Sequence, residues 1–327
     1  MGIEEDKKVM DTRLIETEDV KAWDMALAGI PHGIAHTRGF VACLARSTGI
    51  KVRLFVAESD NGRAVCPIAE RSYQGTLDVY SPYGFGGFVG SGVLTGLRNA
   101  WSLFAQGRGY VASYLMQHPV LTPPDISQLW NDGVATDRTA FIVDLKCSEE
   151  ERWRRVSARK RADLRKWIQT ARPEVDQIAL ADAFFTLYPA FTRRREMVPL
   201  YNFSETALRE LASLPQVFFV GVRDDEGGVC CVALMSATKE CGDYLFMAAT
   251  SAGDVNGSGV LWLGLQELTE RGVVACNLGG GIQEGDGVGE MKRRLGGRAQ
   301  PLSGIKEVFD MDRYHAVCDA AGRPRND

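Results

Sequence analysis

A single lysine, Lys292, follows a turn rich in glycine and acid, "GGGIQEGDGVGE", and opens the cationic run "MKRR". An ammonium in that setting can neutralise charge developing on a carbonyl oxygen, or hold a terminal phosphate or carboxylate. The competing account is a solvated cluster of Lys292, Arg293 and Arg294. A second group lies in "FTRRREMVPLYNFS" (191–204). Arg194, Arg195 and Tyr201 could grip a diphosphate there, because guanidinium forks are bidentate and a phenol adds a donor. Three consecutive arginines also suit a solvated face. Tyr83 stands in "SPYGFGG", where glycines let backbone amides approach a ligand. A turn with an aromatic lid is the plainer account. His36 and Arg38, in "AHTRGF", are candidates to line the same cleft. No Ser-His-Asp or Cys-His arrangement is legible. His32 and His36 have i,i+4 spacing, but Pro31 and Gly33 spoil a helix and no third ligand stands out, so no metal site is expected.

The strongest electrostatic feature is residues 151–172, with nine Lys or Arg against Glu151 and Asp163, a local charge of +7 in a chain of net −4. On a helical wheel Trp153, Val156, Leu164, Trp167, Ile168 and Ala171 share one face, and most cations cover the other. Ser157 and Lys160 also fall on the apolar face. Ser157 is small enough to bond a backbone carbonyl, and Lys160 can snorkel or point into a groove. Arg155, Arg159, Lys160 and Lys166 form a basic face that could hold a nucleic acid or a nucleotide diphosphate. A merely solvated face is the alternative.

The chain also resembles itself. "SGVL" occurs at 91–94 and again at 258–261. A slide of 164 residues lays "FVAESDNGRAVCPIA" on "FVGVRDDEGGVCCVA", matching Phe55 with Phe219, Val56 with Val220, Cys66 with Cys230 and Ala69 with Ala233; Tyr80 then falls on Tyr244. Each copy reads as a hairpin, a third strand, a helix beginning at the serine of SGVL with Ser91 or Ser258 as cap, and a buried strand. That order resembles the central part of the GNAT acyltransferase fold. Two copies in one chain resemble the tandem-GNAT Fem family of peptidoglycan-bridge aminoacyltransferases, and the lack of a long coiled-coil insertion resembles its compact, FemX-like members. "SPYGFGGFVG", "RKRADLRKWIQ" and "NLGGGIQEGDGVGEMKRRLGG" carry the likeness, with Met291 and Leu295 where the family has phenylalanines.

The resemblance implies an α/β protein of two tandem GNAT-like domains with mixed sheets around an interdomain cleft. The first domain would be 1–145, and a basic linking helix with the second domain would be 146–327. It implies a functional lysine at Lys292 and acceptor contacts at Arg194 and Tyr201. It implies transfer of an aminoacyl group from aminoacyl-tRNA to the amine of a small molecule or peptide, a cell-wall precursor or a peptide antibiotic-like metabolite, with no cofactor. The rival is an N-acyltransferase using acetyl-CoA or another acyl-CoA. Such enzymes present a basic residue and glycines before the main helix, whose N-terminal amides hold the pyrophosphate. Here "NGSGV" keeps the glycines without a basic lead residue, and Asp254 would repel phosphate, which favours the tRNA donor. A binding module without activity is the third reading.

Composition is that of an ordinary globular protein, 45% hydrophobic and 24% charged. The N-terminus "MGIEEDKKVMDTRL" has no apolar signal core, and no apolar run is long enough to span a bilayer, so a cytoplasmic protein is expected. The eight cysteines form no CxxC pair and several lie in apolar runs, which predicts reduced core thiols.

Overall fold

A computed structural model describes residues 10–130, 134–197, 203–281 and 285–325. The chain begins with β1 (Asp11–Glu16), α1 (Val20–Leu27), a 3₁₀ turn (Ile34–His36), α2 (Arg38–Thr48), β2 (Val52–Ser59), β3 (Gly62–Tyr73) and β4 (Thr76–Tyr80). It continues through β5 (Val89–Gly92), α3 (Leu97–Gly107), β6 (Tyr110–Met116), α4 (Pro124–Leu129), β7 (Val134–Asp144), α5 (Glu149–Arg155), α6 (Ala158–Thr170) and β8 (Arg172–Glu174). Then come α7 (Gln177–Arg194), α8 (Glu205–Ala212), β9 (Val217–Arg223), β10 (Val229–Ala237), β11 (Gly242–Ala249), α9 (Gly257–Glu270) and β12 (Ala275–Gly280). The last elements are α10 (Gly287–Arg294), β13 (Arg298–Val308) and α11 (Met311–Ala320).

These elements form two compact units, residues 1–137 with 302–327, and residues 138–301. The sequence places the division at 145/146 and leaves the C-terminal segment with the second domain. The structure differs because the end of β13 pairs with β6 in the first unit, Gly304 opposite Met116, while β7 pairs with β12 in the second, Asp144 opposite Ala275. Each unit is thus completed by a strand that follows the other repeat in the chain.

In the first unit the strand order is β1-β2-β3-β4-β6-β13. β4 and β6 run parallel and the other neighbours antiparallel, a mixed sheet. β2 buries Leu54, Phe55, Val56 and Ala57 in succession, as a strand covered on both faces does. Over it sit Phe88, Trp101 and Trp130. Phe88 stacks on Trp130 at 5.3 Å, and Phe55 meets Trp101 edge to face at 5.0 Å.

In the second unit the order is β7-β12-β11-β10-β9-β8, with β11 and β12 parallel. Phe184 of α7 packs on Phe219 of β9 at 5.5 Å, and Trp262 of α9 meets Trp153 of α5 at 4.3 Å. The expected single basic helix is two. Ser148 and Glu151 close a capping box at the start of α5, and the chain turns extended at Val156 before α6 begins. Ile168, expected on the apolar face, is 43% exposed, whereas Leu164 is buried.

Both units share the order hairpin, strand, helix, parallel strand, but not through the 164-residue register. Phe55 pairs with Cys66, whereas Phe219 pairs with Leu234. By pairing, the counterpart of Cys66 is Leu234 rather than Cys230. The cause is the turn and a bulge beside it: Ser59 faces Gly62 across two residues, while Arg223 and Val229 flank a longer loop, whose Asp224 side chain accepts from the Glu226 and Gly228 amides, and the register slips one further residue between Val229 and Cys231. The two SGVL copies also differ. Ser91 and Gly92 lie in β5, paired with Arg63 and Gly62. Ser258 lies inside the first turn of α9, whose cap position is Asn256. Neither serine caps a helix.

Seven of the eight cysteines are buried and Cys147 is half-buried, and none is joined in a disulfide. Among the described residues no helix is long and apolar enough to cross a membrane.

Candidate functional site

The most unusual group of the second unit is Lys292. Asp286 caps α10 by accepting from the Gly289 amide at 2.6 Å, and the helix then runs for eight residues. Within "MKRR" the three cations part. Arg293 and Arg294 turn outward and each donates to Glu290 at 2.6 Å, and those hydrogen bonds hold the Glu290 carboxyl down at about 2. Lys292 is 5% exposed. Its Nζ donates to the Gly280 carbonyl at 2.6 Å and lies 5.4 Å from the centre of the Tyr244 ring. Burial lowers its ammonium from the ordinary 10.5 to about 8, against opposing pulls from Asp286 and Cys276. Lys292 is therefore not part of a solvated cluster. It is a buried cation that holds its proton at neutral pH and releases it just above.

The carbonyl that receives Lys292 is presented by an irregularity in β12. β11 and β12 pair at Gly242/Cys276 and Asp243/Asn277, and among the described residues their pairing stops there. Asn277 then fixes the backbone between that pairing and Gly280. Its Nδ2 donates to Asp243 Oδ1 at 3.1 Å, and its Oδ1 accepts from the Gly279 amide at 2.9 Å. Gly279 has φ +70, a left-handed backbone that glycine adopts without strain, and a Cβ there would lie 3.6 Å from Lys292 Nζ. The register slips between Asn277 and Gly280, which turns the Gly280 carbonyl toward the lysine. Asp243 is buried, and desolvation raises its carboxyl to about 6 despite hydrogen bonds from Asn277 and Ser236. Sequence reasoning missed Asp243 and Asn277. The available signal was a polar residue inside each of two apolar strands, "CGDYLF" and "ACNLGG".

Elsewhere in this unit Arg194 and Arg195 converge on one carboxylate. Arg194 donates to the Ala249 carbonyl and to Asp254 at 3.0 Å, and Arg195 pairs with the other Asp254 oxygen at 3.0 Å. Asp254 therefore does not stand as a bare repelling charge. Tyr201 lies outside the described residues.

The cations of the basic segment have separate fates. Arg152 is buried and donates to the Cys147 carbonyl at 3.0 Å. Arg155 pairs with Asp144 at 2.9 Å. Lys160 donates to the Ser258 hydroxyl at 3.2 Å. Arg159 and Lys166 are exposed. Trp167 donates to Asn256 at 2.8 Å, and its ring lies so close to Gly259 that a Cβ there would come within 2.3–2.5 Å of it. α6 thus covers the first turn of α9. Ser157, Arg159, Lys160 and Asp163, with Arg294, line an open cleft of about 510 Å³.

His36, Arg38 and Tyr83 belong to the first unit. His36 is fully buried, and both ring nitrogens are committed: Nδ1 accepts from the Gly33 amide at 3.3 Å and Nε2 faces the Gly87 carbonyl at 2.9 Å. Burial lowers it to about 4, so it is neutral at physiological pH and ties its segment to the glycine-rich loop. His32 is bonded to the Ile30 carbonyl at 2.7 Å. Arg38 reaches the Thr17 carbonyl at 3.5 Å, and Tyr83 is half-buried in the loop before β5.

No family model matches the sequence, and no curated protein matches it. Solved structures do. FemX superposes with a TM-score of 0.71 at 12% identity, covering 94% of this chain and 99% of FemX. The chain has the tandem-GNAT fold of FemX. L-PGS from Bacillus licheniformis superposes with a TM-score of 0.61 at 14% identity, covering 95% of this chain and 99% of that one. A C-terminal domain named for a lysylphosphatidylglycerol synthetase, from Agrobacterium fabrum, gives 0.58 at 15% identity, covering 93% and 95%. At these identities the likeness is one of fold.

Proposed function

We propose that the protein is an aminoacyl-tRNA-dependent transferase that forms an amide on the amine of a cell-wall precursor or a peptide antibiotic-like metabolite. The observation that carries the choice of donor is the covered N-terminus of α9. In a CoA-dependent enzyme of this fold the amides of that first turn must be open to a pyrophosphate. Here Trp167 lies against Gly259 and bonds Asn256, and Lys160 bonds Ser258. An ester carried by RNA needs no pyrophosphate seat there. One of the fold neighbours, the C-terminal domain of a putative lysylphosphatidylglycerol synthetase, is named for a lysyl-bearing product, which agrees with this donor class.

The chemistry asks little of the protein. The acceptor nitrogen attacks the ester carbonyl, a C–N bond forms, the C–O bond to the ribose breaks, and the ribose oxygen leaves with a proton. Lys292 carries its charge below pH 8 in a water-poor setting, where an ammonium stabilises the oxyanion far more than it would in water. Arg194 and Arg195 hold Asp254 through one nitrogen each and retain further N–H groups for an acceptor anion.

The test is transfer itself. Incubation of amine-bearing cell extracts with aminoacyl-tRNA should yield masses increased by an aminoacyl residue, and incubation with acetyl-CoA should yield none. Acetylated products, or a melting temperature raised by CoA and unchanged by tRNA, would sink the proposal.

A further inference from the structure

The seat of Lys292 is built at the softest point of β12. Gly279 and Gly280 follow one another there, and a pair of glycines has no side chain with which to hold its own direction. Neither position welcomes a side chain. Gly279 has φ +70, and β7 passes so near Gly280 that a Cβ would lie 2.7 Å from the Thr139 carbonyl oxygen. The constraint comes instead from Asn277, which is 1% exposed. Its Oδ1 accepts from the Gly279 amide, and its Nδ2 donates to Asp243 Oδ1 on β11. A backbone N–H can only donate, so the side-chain amide has one productive orientation, oxygen toward Gly279 and nitrogen toward Asp243. Asp243 and Asn277 are also partners in the parallel pairing of β11 with β12. One buried side chain therefore ties the paired part of β12 to the slipped part, where Gly280 lies opposite Ala140 and offers its carbonyl to Lys292 at 2.6 Å.

We infer that Asn277 is a positioning residue for the transfer: it aims the Gly280 carbonyl at Lys292 and so fixes where the ammonium stands during the reaction. The inference rests on the proposed role of Lys292 and names a residue that acts through it. The side-chain hydrogen bonds of Asn277 go to Asp243 and Gly279, so its influence on the ammonium passes through the backbone. The other groups around Lys292 show why the carbonyl matters. β12 contributes the Cys276 thiol, which burial keeps protonated, and β11 contributes the Tyr244 ring. Asp286, at the start of α10, attracts the ammonium from longer range. Glu290, Arg293 and Arg294 of α10 itself are bonded to one another on the outer side. Asp243 of β11 is engaged by Asn277. Among the described residues, the hydrogen bond that holds the ammonium is the one to Gly280. A carbonyl turned aside would leave the charge poorly bonded and the cation off its mark, and a misplacement of about 1 Å can cost a reaction about a hundredfold.

Two measurements on the full chain test this, and the first needs no donor. In protein carrying isotope-labelled lysine, the Lys292 Nζ resonance, assigned by its loss in Lys292→Arg, reports the proton directly. Its midpoint, about 8 in the wild type, should lie about one pH unit lower in Asn277→Ala, a tenfold loss of proton affinity. Asp243→Asn removes the charge but keeps an acceptor oxygen for Nδ2, and should move the midpoint by less than Asn277→Ala does. The second measurement is aminoacyl transfer. Asn277→Ala should lower kcat about 10- to 100-fold at pH 7 and change KM by less than about threefold, and its alkaline limb should move down with the midpoint. Asn277→Ser, which keeps a small polar side chain in the buried site, should move both readings the same way and decides the matter if the alanine variant does not fold. A midpoint that stays at the wild-type value, a larger shift in Asp243→Asn than in Asn277→Ala, or the failure of both Asn277 variants to fold overturns the inference. If the midpoint stays and the wild type still transfers, the functional proposal stands and only the positioning role is wrong. If the wild type transfers from no aminoacyl-tRNA, the functional proposal falls and takes the role in transfer with it, whatever the midpoint does.

Discussion

Replacing Lys292 with methionine should make the protein more stable at neutral pH and nearly inactive. The ammonium has its pKa lowered from 10.5 to about 8 by burial. At neutral pH that displacement corresponds to about 3 kcal/mol of unfavourable free energy in the folded state. Below pH 8 the lysine is charged in both folded and unfolded chains, so the folded state carries the whole cost. Between pH 8 and 10.5 the folded protein releases the proton that the unfolded chain keeps, and stability rises with pH. Above 10.5 both are neutral and the cost is gone. Methionine has a similar length and no charge. It removes the cost but leaves the Gly280 carbonyl without its 2.6 Å partner, a loss of about 1–2 kcal/mol. The net gain at pH 7 is about 1–2 kcal/mol, a rise in Tm of several degrees. At pH 10.5 the sign reverses, because the wild type has lost its penalty and the variant still lacks the hydrogen bond. Denaturant unfolding of Lys292→Met and wild type at pH 7 and 10.5 measures this crossing. Turnover should fall about 10²- to 10³-fold at pH 7, the scale of losing one oxyanion-stabilising group. A variant that unfolds more easily at pH 7, or a difference that does not change with pH, would show that Lys292 serves the fold, and the argument for a catalytic cation would be wrong.

The same lysine sets a pH profile: transfer should decline above about pH 8 as Lys292 loses its proton, and Lys292→Arg, slower overall, should lose that alkaline limb; a rate still rising at pH 9.5 in the wild type counts against it. Asp243, raised to about 6 by burial, gives stability that is present below its unfolded value near 4 and lost as pH rises through 6, so Asp243→Asn should flatten the fall in melting temperature between pH 4.5 and 7. Gly259→Ala places a Cβ within 2.5 Å of the Trp167 ring and should cost about 1–3 kcal/mol, most of it recovered in the double variant with Trp167→Ala, as unfolding midpoints will show. Charge reversal of Arg155, Arg159 and Lys166 together should weaken tRNA binding and flatten its salt dependence, with a small fall in Tm from the Arg155–Asp144 pair that reversal turns into a like-charge contact, since all three are exposed; equal binding at every salt concentration would mark the face as merely solvated.

The architecture was legible where one residue type decides the matter. Continuous apolar runs rich in β-branched residues gave β2, β3, β9 and β10, and the repeated order of elements pointed to two units of one topology. What misled was identity read as register. "SGVL" is a strand edge in one unit and a helix start in the other, because Gly62 and Asn61 lie across from the first copy and "DVN" winds into helix before the second. Cys66 and Cys230 coincide in letters, but a turn three residues longer after Arg223, with a one-residue bulge between Val229 and Cys231, moves the pairing on by four residues. A single amphipathic wheel over 151–172 could not show the break at Val156, since the break is fixed by the contact of Ser157 with the end of α10, far away in sequence.

Lys292 was singled out by likeness, and its physics was not legible in the letters. In letters, Lys292, Arg293 and Arg294 are one cluster. On a helix each step turns about 100°, so Glu290, three and four residues back, can reach Arg293 and Arg294 but leaves Lys292 to the inner face. What the inner face offers is set by β12: a glycine with φ +70, a bulge, and an asparagine bonded at both ends. None of these gives an ammonium a full counter-charge. Among the described residues, one carbonyl, one aromatic face and Asp286 at longer range keep it protonated at pH 7, yet leave part of its charge unsatisfied. A lysine placed only to stabilise the fold would be expected to have a carboxylate in contact. A lysine with that much unsatisfied charge gains more from an oxyanion than a fully paired one does, and the differential is what lowers a transition state.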